Sequence, residues 1–300
     1  MITPSEVDRS YYEVTPEEYL GIFPNHLYEL TKASDIVFLI RSDVNPRTLS
    51  NVDPSKLTTR GRVTRKIHDE RLTKRWCLTQ APTPGYAQEA GMSLKEYEDF
   101  VYSAILIDWS RQRAQMEKLK AVLDKADEVR ILGDQTDLTM SIKGRSAVVG
   151  DAIHNVPGGE VYTSPIDNST DGEIAFDLPG IRYGREIRNV RLRFEKGKVV
   201  DYSAETNQNV LKSIIETDDG SRRIGELGIG TNRSIKQFTR NILFDEKIGD
   251  TIHLALGNAY KQCGGTNSSA IHWDLIKTLK PGQIILDGET IQRDGRFSWE

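Results

Sequence analysis

The residue pattern predicts an α/β fold in two parts, residues 1–120 and residues 121–300, the second strand-rich with a mixed α+β character. Three observations lead there. In the first part, short apolar runs such as Asp35–Ile40 and Arg75–Thr79 alternate with segments of helical periodicity. In the second, Gly-punctuated segments with period-two alternation dominate, interrupted by a helix over 207–216. Finally, 300 residues suffice for one large domain or two ordinary ones, and the change of texture sets the boundary between residues 110 and 130.

In chain order, Thr15-Pro16-Glu17-Glu18 is a helix start, with Thr15 as N-cap and Pro16 at the first helical position; the helix should run to about Leu30. Asp35–Ile40 reads as a strand buried on both faces, as in a parallel sheet covered by helices. A turn through Asn45-Pro46-Arg47 leads to a charged helix over 54–73, and Arg75–Thr79 is a second strand, ended by Pro82 and Pro84. Ser93 with Glu96 caps a long helix whose Leu94, Tyr97, Phe100, Val101, Ala104 and Ile105 recur at helical spacing; it continues, with a break, to about Asp127. Strands follow over 128–132, 138–142, 160–164 and 173–177. Val190, Leu192 and Phe194 alternate before Glu195-Lys196-Gly197-Lys198, and 199–202 return as a hairpin. The last strand is Ile284–Ile291.

Composition narrows the function classes. Hydrophobic residues at 37% with 28% charged residues describe a soluble globular chain, and no apolar run approaches the roughly 18 residues of a membrane span. The opening MITPSEVDRSYYEV has neither a basic nor an apolar signal region. Cys77 and Cys263 are far apart, which fits a reducing cytoplasm. A net charge of −4 with mixed signs argues against a nucleic-acid binder. The basic run Arg60–Arg75 is interrupted by Asp69 and Glu70 and reads as a solvated helix face. Neither G-x-G-x-x-G after a strand nor a phosphate-loop motif occurs.

The chemistry gathers in four stretches. In Thr251–Gly257, Ile252, Leu254 and Leu256 point one way and His253 with Ala255 the other, the pattern of a half-buried strand. His272 and Asp274 share a face only in extended chain, because on a helix they diverge by roughly 200°. Pro157-Gly158-Gly159 places Glu160 at the start of an extended segment. In Gly225–Gly230, Leu227 and Ile229 share one face, and Glu226 stands among glycines on the other, with room for a large partner. Imidazoles and carboxylates converging from extended segments commonly assemble a divalent metal site. The same residues are also consistent with an interior hydrogen-bonded His253, a surface His272–Asp274 pair and a solvent-facing Glu226. Counted together, three carboxylates and two neutral imidazoles carry three negative charges, which two dications and one hydroxide neutralise. Five donors overfill a single tetrahedral catalytic ion and suit two ions sharing a carboxylate.

These runs, Val156–Pro165, Ile224–Asn232, His253–Gly257, Tyr260 and Asn267–Asp274, resemble the thermophilic metallo-aminopeptidase family of the aminopeptidase T type. The resemblance extends through Leu178–Glu186 and Arg191–Lys198, and in the first part through Arg75-Trp76, Pro82-Thr83 and Ala90-Gly91-Met92. It implies that Glu160, Glu226, His253, His272 and Asp274 are metal ligands and that Tyr260 is the active-site tyrosine. It further implies removal of N-terminal residues from peptides with two divalent ions per chain (zinc, with cobalt, manganese or magnesium as alternatives). A homodimer with a Rossmann-like α/β first domain and a strand-rich catalytic second domain is expected. Such first domains open with a further strand–helix stretch, whereas this chain starts part-way in, so an uncovered sheet edge is expected. Glu226, flanked by glycines, is the candidate bridging ligand, and Tyr260 the candidate oxyanion donor. Asp167, Asp171 and Glu173 are compositional candidates for anchoring a substrate ammonium; His26, His68 and His154 read as structural or loop residues. The alternatives are a non-catalytic or impaired metal-binding homologue, or a dinuclear hydrolase of another amide.

Overall fold

The structure, a computed structural model, describes residues 5–182 and 184–300; Met1–Pro4 and Tyr183, the latter within the Leu178–Glu186 run, lie outside the described residues. The chain packs as two compact units. One comprises the residues up to Val101 with Ile153–Val156, the other Tyr102–Ala152 with Pro157–Glu300.

In the first unit, strands Ile36–Arg41 and Arg75–Gln80 pair in parallel, Ile36 opposite Arg75 and Arg41 opposite Gln80. Burial on both faces does not hold for the first strand. Ile36, Phe38 and Ile40 are 57%, 61% and 59% exposed, while Val37 and Leu39 are half-buried. An apolar residue on both faces signals a covered sheet only where something packs on both, and here one face of the pair stays open among the described residues. The helix expected from Thr15 to Leu30 is two pieces, Glu17–Leu20 and Asn25–Ala33. The first ends at Leu20 with Gly21 as its C-cap, and Pro24 is the N-cap of the second, where its missing N–H costs no helical hydrogen bond. Pro16 itself occupies the N-cap of the first piece.

Helix Pro54–Leu72 begins after Asp53, whose carboxylate accepts from Ser55 N. The Ser93–Glu96 capping box is present: Ser93 N donates to Glu96 Oε2 at 2.8 Å and Glu96 N to Ser93 Oγ at 3.3 Å. That helix, Leu94–Ile105, breaks and restarts as Trp109–Leu123, with Asp108 accepting from Ser110 N and Arg111 N. Among the described residues of the first unit, two helices lie where the pattern reading gives none, Ser5–Val14 and Pro84–Glu89. Pro84, read as a strand stop, stands in the first turn of its helix behind Thr83 as cap.

Among the described residues, the second unit carries two large antiparallel sheets and a short two-stranded one, Gly180–Arg182 with Arg185–Ile187. The eight-stranded one runs in the order Lys198–Ser203, Arg191–Glu195, Asp171–Ala175, Thr136–Ser141, Glu128–Gly133, Gly282–Leu286, Glu289–Arg293 and Arg296–Phe297. The last expected strand is thus a hairpin: Asp287 (φ 48°) and Gly288 (φ 88°) form its two-residue turn, as an Asp-Gly pair favours. The five-stranded sheet runs His272–Thr278, Thr251–Gly257, Ile224–Gly230, Glu160–Thr163 and Val148–Gly150. Apolar side chains of both sheets, among them Ile131, Leu138, Phe194, Leu227, Ile252 and Leu254, share one buried cluster with helices Trp109–Leu123 and Gln208–Ile215. Among the described residues, no helix is long and apolar enough to cross a membrane.

Candidate metal centre

Antiparallel pairing places directly opposed residues on the same face of a sheet. In the five-stranded sheet Glu160 opposes Gly230, His253 opposes Gly228, Glu226 and Asp274 both oppose Ala255, and His272 opposes Gly257. All five donors therefore leave from one face, while Leu227, Ile229, Ile252 and Leu254 leave from the other into the core. Each donor has glycine or alanine opposite it on at least one side, and His253 meets Ile276 on the other. The space this leaves is used: a Cβ on Gly228 would lie 2.0 Å from His253 Nε2, and one on Gly150 2.8 Å from Glu160 Cγ. The expected half-burial of Thr251–Gly257 gives way to complete burial, His253 included, because the donor face of this inner strand is also covered.

The donors converge as two triads that could each hold a metal ion, Glu160–Glu226–His253 and Glu226–His272–Asp274. His253 Nε2 is 3.4 Å from Glu160 Oε2 and 3.3 Å from Glu226 Oε1. His272 Nε2 is 3.1 Å from Glu226 Oε2 and 3.6 Å from Asp274 Oδ1. The solvent-facing alternative for Glu226 is excluded, since it is 4% exposed.

The residues fit a cation. His272 Nδ1 lies 2.8 Å from the carbonyl of Asn258, which only accepts, so Nδ1 carries the hydrogen. A neutral ring then turns the Nε2 lone pair towards carboxylate oxygens, an arrangement that repels unless a proton or a metal ion stands between. Protonation shows the same demand. Burial alone would lower His253, yet its hydrogen bond to Glu226 and the charges of Glu226, Glu160 and Asp274 raise it to about 9. His272, likewise opposed by burial, is raised to about 10 by Asp274 and Glu226. Burial would raise Glu226, but hydrogen bonds from both imidazoles draw it down to about 2. Imidazole and carboxylate donors of this kind suit zinc, cobalt or manganese.

The Tyr260 ring centroid lies 5.1 Å from that of His272 and 5.3 Å from that of Tyr162. Tyr260 is 37% exposed, yet loss of water around its phenol and the charges of Glu226 and Asp274 hold it well above its ordinary pKa, so it stays a proton donor. The other candidates fall elsewhere. Asp171 and Glu173 belong to the eight-stranded sheet, where Asp171 accepts from Lys196 N. Asp167 accepts from Thr266 Oγ1. His154 stacks on Trp76 in the first unit at 4.5 Å, and His26 and His68 are exposed on helices.

Lys247, Glu246 and Tyr162 went unassigned from sequence. Lys247 is wholly buried, bonded to Glu246 and 3.5 Å from Glu160 Oε1. Its stretch, Asp245-Glu246-Lys247, reads as surface charge, and no one-dimensional pattern marks a buried lysine. Tyr162 had a signal, its place two residues after Glu160 on the same extended face.

The two triads could each hold a metal ion, and the chain belongs to the thermophilic metalloprotease (M29) family, whose model matches residues 1–297. Its relatives there are aminopeptidases by name. Aminopeptidase 2 of Geobacillus stearothermophilus is 26% identical over 95% of this chain and 82% of its own length. Aminopeptidase T of Thermus thermophilus is 24% identical over 86% and 72%. The solved structure of wild-type AmpT from Thermus thermophilus shares the fold, with a TM-score of 0.88 at 21% identity over 99% of this chain and 86% of that one.

Proposed function

We propose that this chain is an aminopeptidase that removes N-terminal residues from peptides with two divalent ions, one in each triad. The observation that carries the two-ion reading is the division of Glu226: Oε1 faces His253 and Oε2 faces His272, so one carboxylate serves both triads. When bound, such a pair of ions polarises a scissile carbonyl and activates water.

The chain's own residues do the rest. Glu226 fixes the spacing of the triads. Glu160 with His253, and Asp274 with His272, supply one carboxylate and one imidazole on each side. The Nδ1–H of His272, tied to Asn258 O, fixes the tautomer that leaves Nε2 free to ligate. Tyr260, beside His272 and protonated, donates to the oxyanion that forms as the carbonyl is attacked. The reading extends to a homodimer, to a Rossmann-like relationship for the first unit with its parallel strand pair, and to a reducing cytoplasm, which the free thiols of Cys77 and Cys263 support.

Hydrolysis of leucyl and aspartyl amides tests it, with free-amine and N-blocked substrates compared before and after chelation. Cleavage of the free-amine substrates alone, lost on chelation and restored by added metal, is the expected result. Equal cleavage of blocked substrates would point to a hydrolase of another amide, and metal binding without any cleavage to a non-catalytic homologue.

A further inference from the structure

Lys247 stands at the metal centre without a part in either triad. It follows helix Ile242–Asp245 and is 0% exposed. A buried ammonium is costly unless paired, and this one is paired twice, with Glu246 Oε1 and, at 3.5 Å, with Glu160 Oε1. A positive charge so close to a carboxylate ligand repels a metal ion, and bare electrostatics therefore argues against a lysine here.

Orientation resolves the conflict. Glu160 divides its oxygens: Oε1 faces Lys247, and Oε2 faces His253 Nε2 at 3.4 Å. With Oε1 occupied, Oε2 is the oxygen left to enter the triad. The stem of Glu160 is confined as well, since Gly150 leaves no room for a Cβ beside its Cγ. Among the described residues, no lysine or arginine forms an ion pair with Glu226 or Asp274, so the two triads are built differently.

We propose that Lys247 is a positioning residue: by holding Oε1 of Glu160 it presents Oε2 as a single-oxygen ligand to the ion shared with His253 and Glu226. The inference rests on the two-ion reading. Its test is the zinc content of the full chain, dialysed against buffered free zinc, for wild type, Lys247→Met and Lys247→Gln. Wild type should hold two zinc ions. Each variant should keep one at the free zinc that saturates wild type and bind the other about 10–100-fold more weakly, as losses around a metal's ligands typically do. The retained ion, in the triad that Lys247 does not touch, shows that the fold survives, and circular dichroism and thermal melting confirm it.

A folded variant that holds both ions at wild-type affinity, or more tightly as the loss of a repelling charge alone would give, overturns the proposal; so does loss of both ions. If Lys247→Met does not fold, Lys247→Gln decides by the same measurement, because its shorter side chain keeps a polar group for Glu246 without the reach to Glu160. Wild type with fewer than two zinc ions would instead overturn the two-ion reading.

Discussion

The two large sheets of the second unit are built by the same antiparallel pairing and put it to opposite uses. In the eight-stranded sheet, strands alternate between core and solvent, as in Glu128–Gly133, where Val129 and Ile131 are buried and Glu128 and Arg130 exposed. Its outer face is laced by surface pairs such as Arg130–Asp137, bidentate at 2.8 and 2.7 Å. In the five-stranded sheet, Ile224–Gly230 and Thr251–Gly257 are buried along their whole length, and the face that would meet water carries carboxylates and imidazoles. The difference lies in what opposes each charged residue. Arg130 opposes Thr139 and Ile285 on its neighbouring strands, whereas Glu160 opposes Gly230 and Gly150, Glu226 opposes Ala255, and His253 opposes Gly228 on one side and Ile276 on the other. Small residues opposite long side chains leave room on that sheet face for two triads that could each hold a cation.

The comparison breaks most severely if the buried face proves dispensable. Glu226→Gln, which removes the carboxylate common to both triads, should lower kcat/KM by about 10³-fold or more, with a circular dichroism spectrum like that of wild type. Retained turnover would reduce the five-stranded face to structure. Tyr260→Phe should lower kcat by about 10²-fold while zinc content stays unchanged, the signature of a donor acting on the oxyanion.

A third effect sharpens the contrast through pH. A ligating imidazole must be unprotonated, and His253 and His272 are raised to about 9 and 10 without metal. Zinc binding at pH 7 therefore displaces protons, and the apparent affinity, followed by competition with a chelating dye, should rise from pH 6 to pH 9. The metal-free protein should respond in the opposite sense. Imidazoles raised above their ordinary 6.5 stabilise the fold fully below that pH, and the contribution fades as pH climbs through 9 and 10. Its melting temperature in chelator should fall over that window, and an affinity for zinc independent of pH would contradict the assignment of both imidazoles. The smallest effect belongs to the other sheet. Arg130→Ala, at an exposed pair, should leave the denaturant midpoint close to that of wild type and zinc content untouched.

The donors were legible because strand periodicity is simple. A spacing of two brings His272 and Asp274 together only in extended chain, and the glycines around Glu226 announced space. Glu160, placed after Pro-Gly-Gly, needed only that its segment be a strand. Burial was less legible, because it depends on what lies above a face. Ile36, Phe38 and Ile40 look like core and are exposed, whereas His253 looks half-buried and is enclosed. Lys247 is the clearest case: its significance comes from Glu160, 87 positions away in sequence, whose Oε1 it faces at 3.5 Å. Charged residues on a short helical turn carry no mark of which carboxylate they will meet. The helix break before Pro24 and the helix that starts at Pro84 do not show in the pattern, because proline ends one element as readily as it begins another.

The claim that one carboxylate joins two ion sites is tested most directly by anomalous diffraction from crystals grown with zinc. Two peaks about 3.5–4 Å apart are expected, one bonded to Glu160 and His253, the other to His272 and Asp274, with Glu226 reaching both. A single peak, or a second one held without Glu226, would contradict it.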